Sequence, residues 1–76
     1  MEGRLKARAD VKAIGARIRQ LRGTLLQDHL ADYLGISQGQ LSKIERGQMA
    51  PTAETLARLS AKFGKTIDWI VRGDQG

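Results

Sequence analysis

Cysteine is absent from this sequence, which removes both a disulfide framework and a cysteine-based zinc site as means of holding a small core together. Helix packing or self-association must do that work, in keeping with a reducing cytoplasm. Histidine occurs once, as His29. Without a second ligand or a nucleophile, base and orienter set around it, neither a metal centre nor a catalytic site can be assembled, so a non-enzyme without cofactor is expected. His29 is expected to face solvent. Long apolar runs are also missing. Nothing approaches the roughly 20 residues that cross a bilayer, and no apolar segment follows the basic N-terminus as a signal peptide requires. The expectation is a cytoplasmic chain with no membrane partner. "GKT" at Gly64 to Thr66 has the ending of a phosphate-binding loop, but Leu59 stands where that motif needs glycine and no strand precedes it. Strand signals of alternating apolar and β-branched residues, internal repeats and low-complexity tracts are absent too.

What remains is short, basic and helical in pattern. Seventy-six residues with 41% hydrophobic content suit one small domain, which at this size buries only about 60% of its unfolded surface. The formal net charge is +5, and it is unevenly placed. Residues 1–22 hold seven Lys/Arg against two acids, so the rest of the chain is neutral as a whole. Attraction to phosphate is therefore concentrated in an N-terminal arm and first helix. Residues 1–10 alternate basic and small residues without an apolar stripe, which predicts a basic arm; residues 11–73 form the domain, and 74–76 a tail.

Apolar residues at Val11, Ile14, Ile18, Leu21 and Leu25 recur every three or four positions and predict a first helix capped by Asp10. Thr24 and Gln27 have capping-box spacing before a second helix over 26–34, stopped by Gly35. Ser37 and Gln40 repeat that spacing and open a third helix running to about Arg46, with Gly47 as its stop signal. Thr52 and Thr55 suit the start of a fourth helix over 53–63, and Thr66 caps a fifth over 67–72. The fold class is all-α, a compact arrangement of five helices joined by short turns.

The connection from Leu34 to Gln38 is short and contains glycine, as in a helix-turn-helix formed by helices 2 and 3. Leu30, Leu34, Ile36, Leu41 and Ile44 supply apolar contacts, and Ala31 is small where the two helices must cross closely. Projecting the third helix at about 100° per residue with Leu41 and Ile44 inward puts Gly39, Ser42, Lys43 and Arg46 outward. Gln38 stands at its N-terminal end, the part of an inserted helix nearest the base edges of a major groove. Glutamine can bond adenine through N6 and N7, lysine favours guanine or phosphate, and serine accepts several partners. Gly39 lets the backbone come close to a base pair. Arg46 suits phosphate, Gln40 is shared between its capping box and DNA, and Thr52 could offer its hydroxyl to phosphate or serve only as a cap.

Residues from about Val11 to Gly73 resemble the Cro/CI (XRE) type helix-turn-helix domain of phage and bacterial repressors, the lambda-repressor-like fold. "LADYLGISQGQLSKIERG" (residues 30–47), "PTAETLARLSAKFG" (51–64) and "TIDWIVRGD" (66–74) carry the likeness, in order. The resemblance implies that Gln27 grips a phosphate and braces Gln38, the leading base reader. It also implies an internal ion pair between Arg22 and Glu45 that ties helix 1 to the end of the recognition helix. Two positions depart from the pattern. Leu26 stands where a Ser or Thr cap is usual, behind a shorter loop from Arg22, and Gly39 stands where many relatives place a larger reader.

Trp69, Ile70 and Val71 carry more apolar surface than a six-residue helix can bury alone, which gives two readings, core packing or a two-fold dimer contact. The expectation is Trp69 partly inward, with Ile70 or Val71 at a homodimer interface. The implied function is sequence-specific recognition of double-stranded DNA by a transcriptional regulator in a bacterial or phage setting, a repressor acting on a palindromic operator. The alternative is an antitoxin-like or repressor-modulating module that uses the same fold for a protein partner. A polar, non-acidic outward face on helix 3 favours DNA, as does the short stretch of chain after Gly73.

Overall fold

A computed structural model describes residues 10–73. Within them lie five α-helices: α1 Val11–Arg22, α2 Gln27–Leu34, α3 Gln38–Glu45, α4 Ala53–Phe63 and α5 Ile67–Arg72. The basic arm and the C-terminal tail expected from the sequence fall outside the described residues, apart from Asp10. Among the described residues there is no strand, and no helix is long and apolar enough to cross a membrane.

Four helix starts follow the chemistry of small polar caps. Asp10 accepts from the backbone N–H of Lys12 and Ala13, while Ser37, Thr52 and Thr66 each accept from the N–H three residues on. These bonds satisfy donors that a helix leaves unpaired in its first turn. At α3 the cap is reciprocal, since Ser37 N–H also donates to Gln40 Oε1 at 2.9 Å.

The start of α2 differs from expectation. Leu26, 60% exposed, occupies the cap position without a side-chain hydrogen bond, and Thr24 does not cap. A leucine cannot accept from the first-turn amides, and Thr24 stands too early, because α1 stops at Arg22 and the linking turn runs from Gly23 to Leu26. The same early stop takes Leu25 out of the α1 stripe and leaves it exposed. Arg46, expected inside α3, is its C-cap.

One core serves the whole domain. Ile14 and Ile18 from α1, Leu30, Ala31 and Leu34 from α2, Leu41 and Ile44 from α3, Leu59 from α4 and Ile70 from α5 are all buried in it. Helix α1 packs chiefly on α3 and α5, α2 on α3, and α4 on α5. The apolar positions recur at helical spacing on each element, so burying them together fixes how the helices cross.

The turn between α2 and α3 is set by Gly35, whose φ of 73° and ψ of 27° lie in the left-handed region. Gly35 N–H donates to Asp32 and Ile36 N–H to Ala31, the paired bonds of a Schellman motif. That geometry swings Ile36 back onto the core and leaves Ser37 placed to cap the next helix. Gly15 meets a different demand. A Cβ on it would lie 2.2 Å from the Ile44 carbonyl oxygen and 2.8 Å from that of Glu45, so α1 and the end of α3 touch backbone to backbone there.

Candidate nucleic-acid interface

The third helix turns Gly39, Lys43 and Arg46 outward as its sequence predicts, while Ser42 is turned only partly outward. Gln38, Gly39, Gln40, Lys43 and Arg46 are exposed, Ser42 is half-buried, and Leu41, Ile44 and Glu45 face inward. The exposed positions of α3 therefore carry amide, backbone and cationic groups and no carboxylate. The capping box that starts the helix holds Gln40 by its Oε1, leaving its Nε2 free to donate outward. Thr52 is exposed, but its hydroxyl accepts from Thr55 N–H and donates to Thr55 Oγ1 at 3.1 Å. His29 is exposed on α2.

Behind Gln38 stands a buried acid. The Glu45 side chain is 3% exposed and makes three hydrogen bonds. Arg22 donates to it twice, Nε to Oε2 at 2.7 Å and Nη2 to Oε1 at 3.0 Å, a forked pairing that suits a planar guanidinium. Gln27 Nε2 donates to the same Oε1 at 2.9 Å. Arg22 reaches further and donates from Nη1 to the Leu25 carbonyl at 2.7 Å, tying down the turn that lacks a side-chain cap. Its pKa is raised above the ordinary arginine value by the hydrogen bond to Glu45, against the opposing effect of partial desolvation. Gln38 Nε2 then donates to Gln27 Oε1 at 3.5 Å, a long contact.

The family resemblance implied the Arg22–Glu45 pair and a contact of Gln27 with Gln38, and the structure brings both sets of residues together; the bond from Gln27 to Glu45 was missed. The first residue of α2 carries no pattern signal for this bond, and only the packing of α2 on α3 brings its amide to the carboxylate. Missed too was Arg17. Its Nε donates to the Ile70 carbonyl and its Nη2 to the Val71 carbonyl, both at 2.8 Å, holding the last turn of α5 against α1.

At α5 one expectation is corrected. Ile70 is 0% exposed and belongs to the core between α1 and α4, so it has no surface to give a second copy. Trp69 and Val71 are half-buried, and Ile67, one turn before Val71 on the same edge, is 42% exposed. Lys65 Nζ lies 4.8 Å from the Trp69 ring centroid, covering its outer part with a cation.

Five helices around one core, with a glycine turn of this kind joining the second to the third, make a helix-turn-helix domain. Comparison with known proteins agrees: a family model described as "Helix-turn-helix" matches residues 16–70, and the chain belongs to that family, of the Cro/CI (XRE) type. It is 33% identical over 61 residues to the SPbeta prophage-derived HTH-type transcriptional regulator YonR of Bacillus subtilis, covering 78% of this chain and 56% of that protein. It is 36% identical over 61 residues to the HTH-type transcriptional activator BcrR of Enterococcus faecalis, covering 78% of this chain and 30% of the relative. The chain thus spans about half or less of the length of these curated relatives. Among solved structures, the P22 c2 repressor in complex with a synthetic operator superposes with a TM-score of 0.73 at 33% identity, covering 80% of this chain and 96% of that one.

Proposed function

We propose that this domain reads a specific double-stranded DNA sequence and acts as a repressor, binding as a homodimer to a two-fold symmetric operator. The observation that carries the reading is the outward face of α3, where Gln38, Gly39, Lys43 and Arg46 stand exposed in a row without an acid. Such a face suits a phosphate-lined groove, with Gln38 and Lys43 reading base edges, Ser42 assisting, and Arg46 and Gln27 on phosphates. Gln40, through its free Nε2, and Thr52, at the start of α4, are assigned to the backbone rim. The P22 c2 repressor, which superposes on this chain, was solved in complex with a synthetic operator, and that likeness supports duplex DNA as the partner.

The dimer contact is assigned to the outer edge of α5, with Val71 and the rim of Trp69 joined by Ile67. A symmetric pair would set two recognition helices about 34 Å apart, one turn of DNA. The alternative of a protein-interaction module makes a different demand, a stoichiometric partner in place of DNA.

Fluorescence anisotropy of the purified chain on a mixed-sequence duplex, run across a salt series, separates the two. Binding that weakens steeply with salt, with a slope counting several phosphates, supports DNA as the partner, and enrichment of one motif from a randomised duplex pool then supports sequence reading. No binding at low salt, together with a stoichiometric partner on purification from the native host, would move the function to the protein-interaction reading.

A further inference from the structure

Glycine is the poorest helix former after proline, so a glycine inside a helix calls for a physical reason. Among the described residues, six of the seven glycines have one within the fold. Gly23, Gly35, Gly47, Gly64 and Gly73 take positive φ, and Gly15 lies against the backbone of α3. Gly39 has no such reason. It is the second residue of α3, its φ is outside the left-handed region, and it is exposed. A Cβ built on it would meet nothing nearer than Ser37 Oγ at 3.9 Å, its own helix backbone and chain neighbours aside. Alanine fits there, so the demand for glycine comes from outside the chain.

At about 100° per residue, with Leu41, Ile44 and Glu45 inward, Gly39 falls at the middle of the outward side of α3. Gln38 precedes it at the tip, and Ser42 and Lys43 follow one turn on. The centre of the face is therefore a slot, floored by the Gly39 backbone and flanked by longer side chains. Resting on the DNA-reading function above, we infer that this slot receives the 5-methyl group of a pyrimidine, thymine in ordinary DNA, so that Gly39 determines specificity through the side chain it lacks. The thymine methyl is the one methyl group that a base pair projects into the major groove, and the other groups displayed there are donors and acceptors, which a missing side chain cannot answer. A Cβ at residue 39 and a methyl at pyrimidine C5 compete for one space. Cytosine carries no methyl at that atom and 5-methylcytosine does, so the slot also makes binding sensitive to cytosine methylation at a single position.

The competition can be measured by exchanging the two methyls. A duplex enriched by the native chain from a randomised pool is remade with uracil in place of one thymine at a time, which removes the methyl and leaves the hydrogen-bonding edge intact. At one thymine per half-site, the native chain should lose about four-fold in affinity, the worth of one buried methyl. Gly39→Ala should bind the native duplex more weakly by a similar factor or more, and the same uracil should restore its affinity. With a cytosine–guanine pair at that position, 5-methylcytosine should bind the native chain more tightly than cytosine and lose this advantage in Gly39→Ala.

Urea unfolding of Gly39→Ala separates a filled slot from a damaged fold. Its midpoint should rise, because alanine is the better helix former; a lowered midpoint would reveal a demand for glycine inside the fold and overturn the inference. Native-like affinity of Gly39→Ala for the selected duplex also overturns it, as does a uracil scan in which no thymine reverses its effect between the two proteins. A native chain that enriches no motif overturns the DNA-reading function itself.

Discussion

Single side chains in this domain divide between holding the recognition helix and presenting it. Ser37 belongs to the first group, through its reciprocal cap with Gln40. Ser37→Ala should cost about 1 kcal/mol, seen as a lower urea midpoint with an unchanged slope, and a midpoint equal to the native one would show that the cap is dispensable. Gly15 is a stricter case, because the atoms that a Cβ would meet are the backbone oxygens of Ile44 and Glu45 and cannot rotate away. Gly15→Ala should therefore lose about 1–3 kcal/mol of stability through overpacking, although alanine is the better helix former by about 1 kcal/mol. A gain in stability would mean that α1 and α3 separate at little cost. Gln38 belongs to the second group. Gln38→Ala should leave thermal stability near native and reduce discrimination at one base pair per half-site by about 1–3 kcal/mol, measured as a change in the selected sequence profile.

At the scale of whole elements, the helices were legible from sequence because each carries an apolar stripe with a glycine after it, and all but α2 have a polar cap before it. The α2 to α3 turn was readable for the same reason, since Gly35 is the one residue type that takes a left-handed φ without strain. What the pattern did not yield was long-range. Thr24 matched capping-box spacing, yet α1 stops at Arg22 and the cap position falls on Leu26. Ile70 counted as surplus apolar surface on a short helix, but the groove between α1 and α4 takes it completely. Gly15 gave a signal that could have been used, a glycine inside an otherwise helical run, for which close backbone approach is the usual structural reason. Arg17 gave none, because its partners are carbonyls more than fifty residues away. Removing those bonds tests how α5 is held. Arg17→Ala should lower stability by about 1–3 kcal/mol and speed amide hydrogen exchange in α5 ahead of α3, and uniform exchange across all helices would assign the anchoring to Ile70 alone.

Over the molecule as a whole, charge and shape are assigned to different ends of the recognition problem. The excess of positive charge lies in residues 1–22, while the remaining chain is balanced. Affinity drawn from phosphates is expected to follow the first segment, and discrimination the face of α3. Replacing Arg4, Lys6 and Arg8 with alanine should weaken every duplex alike and flatten the salt dependence by up to about three phosphate contacts, with the selected motif unchanged. A native salt slope in that variant would remove the N-terminal segment from the interface. The most direct test of the account is selection by the native chain, near physiological salt, from a fully randomised duplex pool followed by sequencing. Enrichment of a two-fold symmetric motif with half-sites one helical turn apart is the expected result. Salt-sensitive retention of all sequences without enrichment would contradict it.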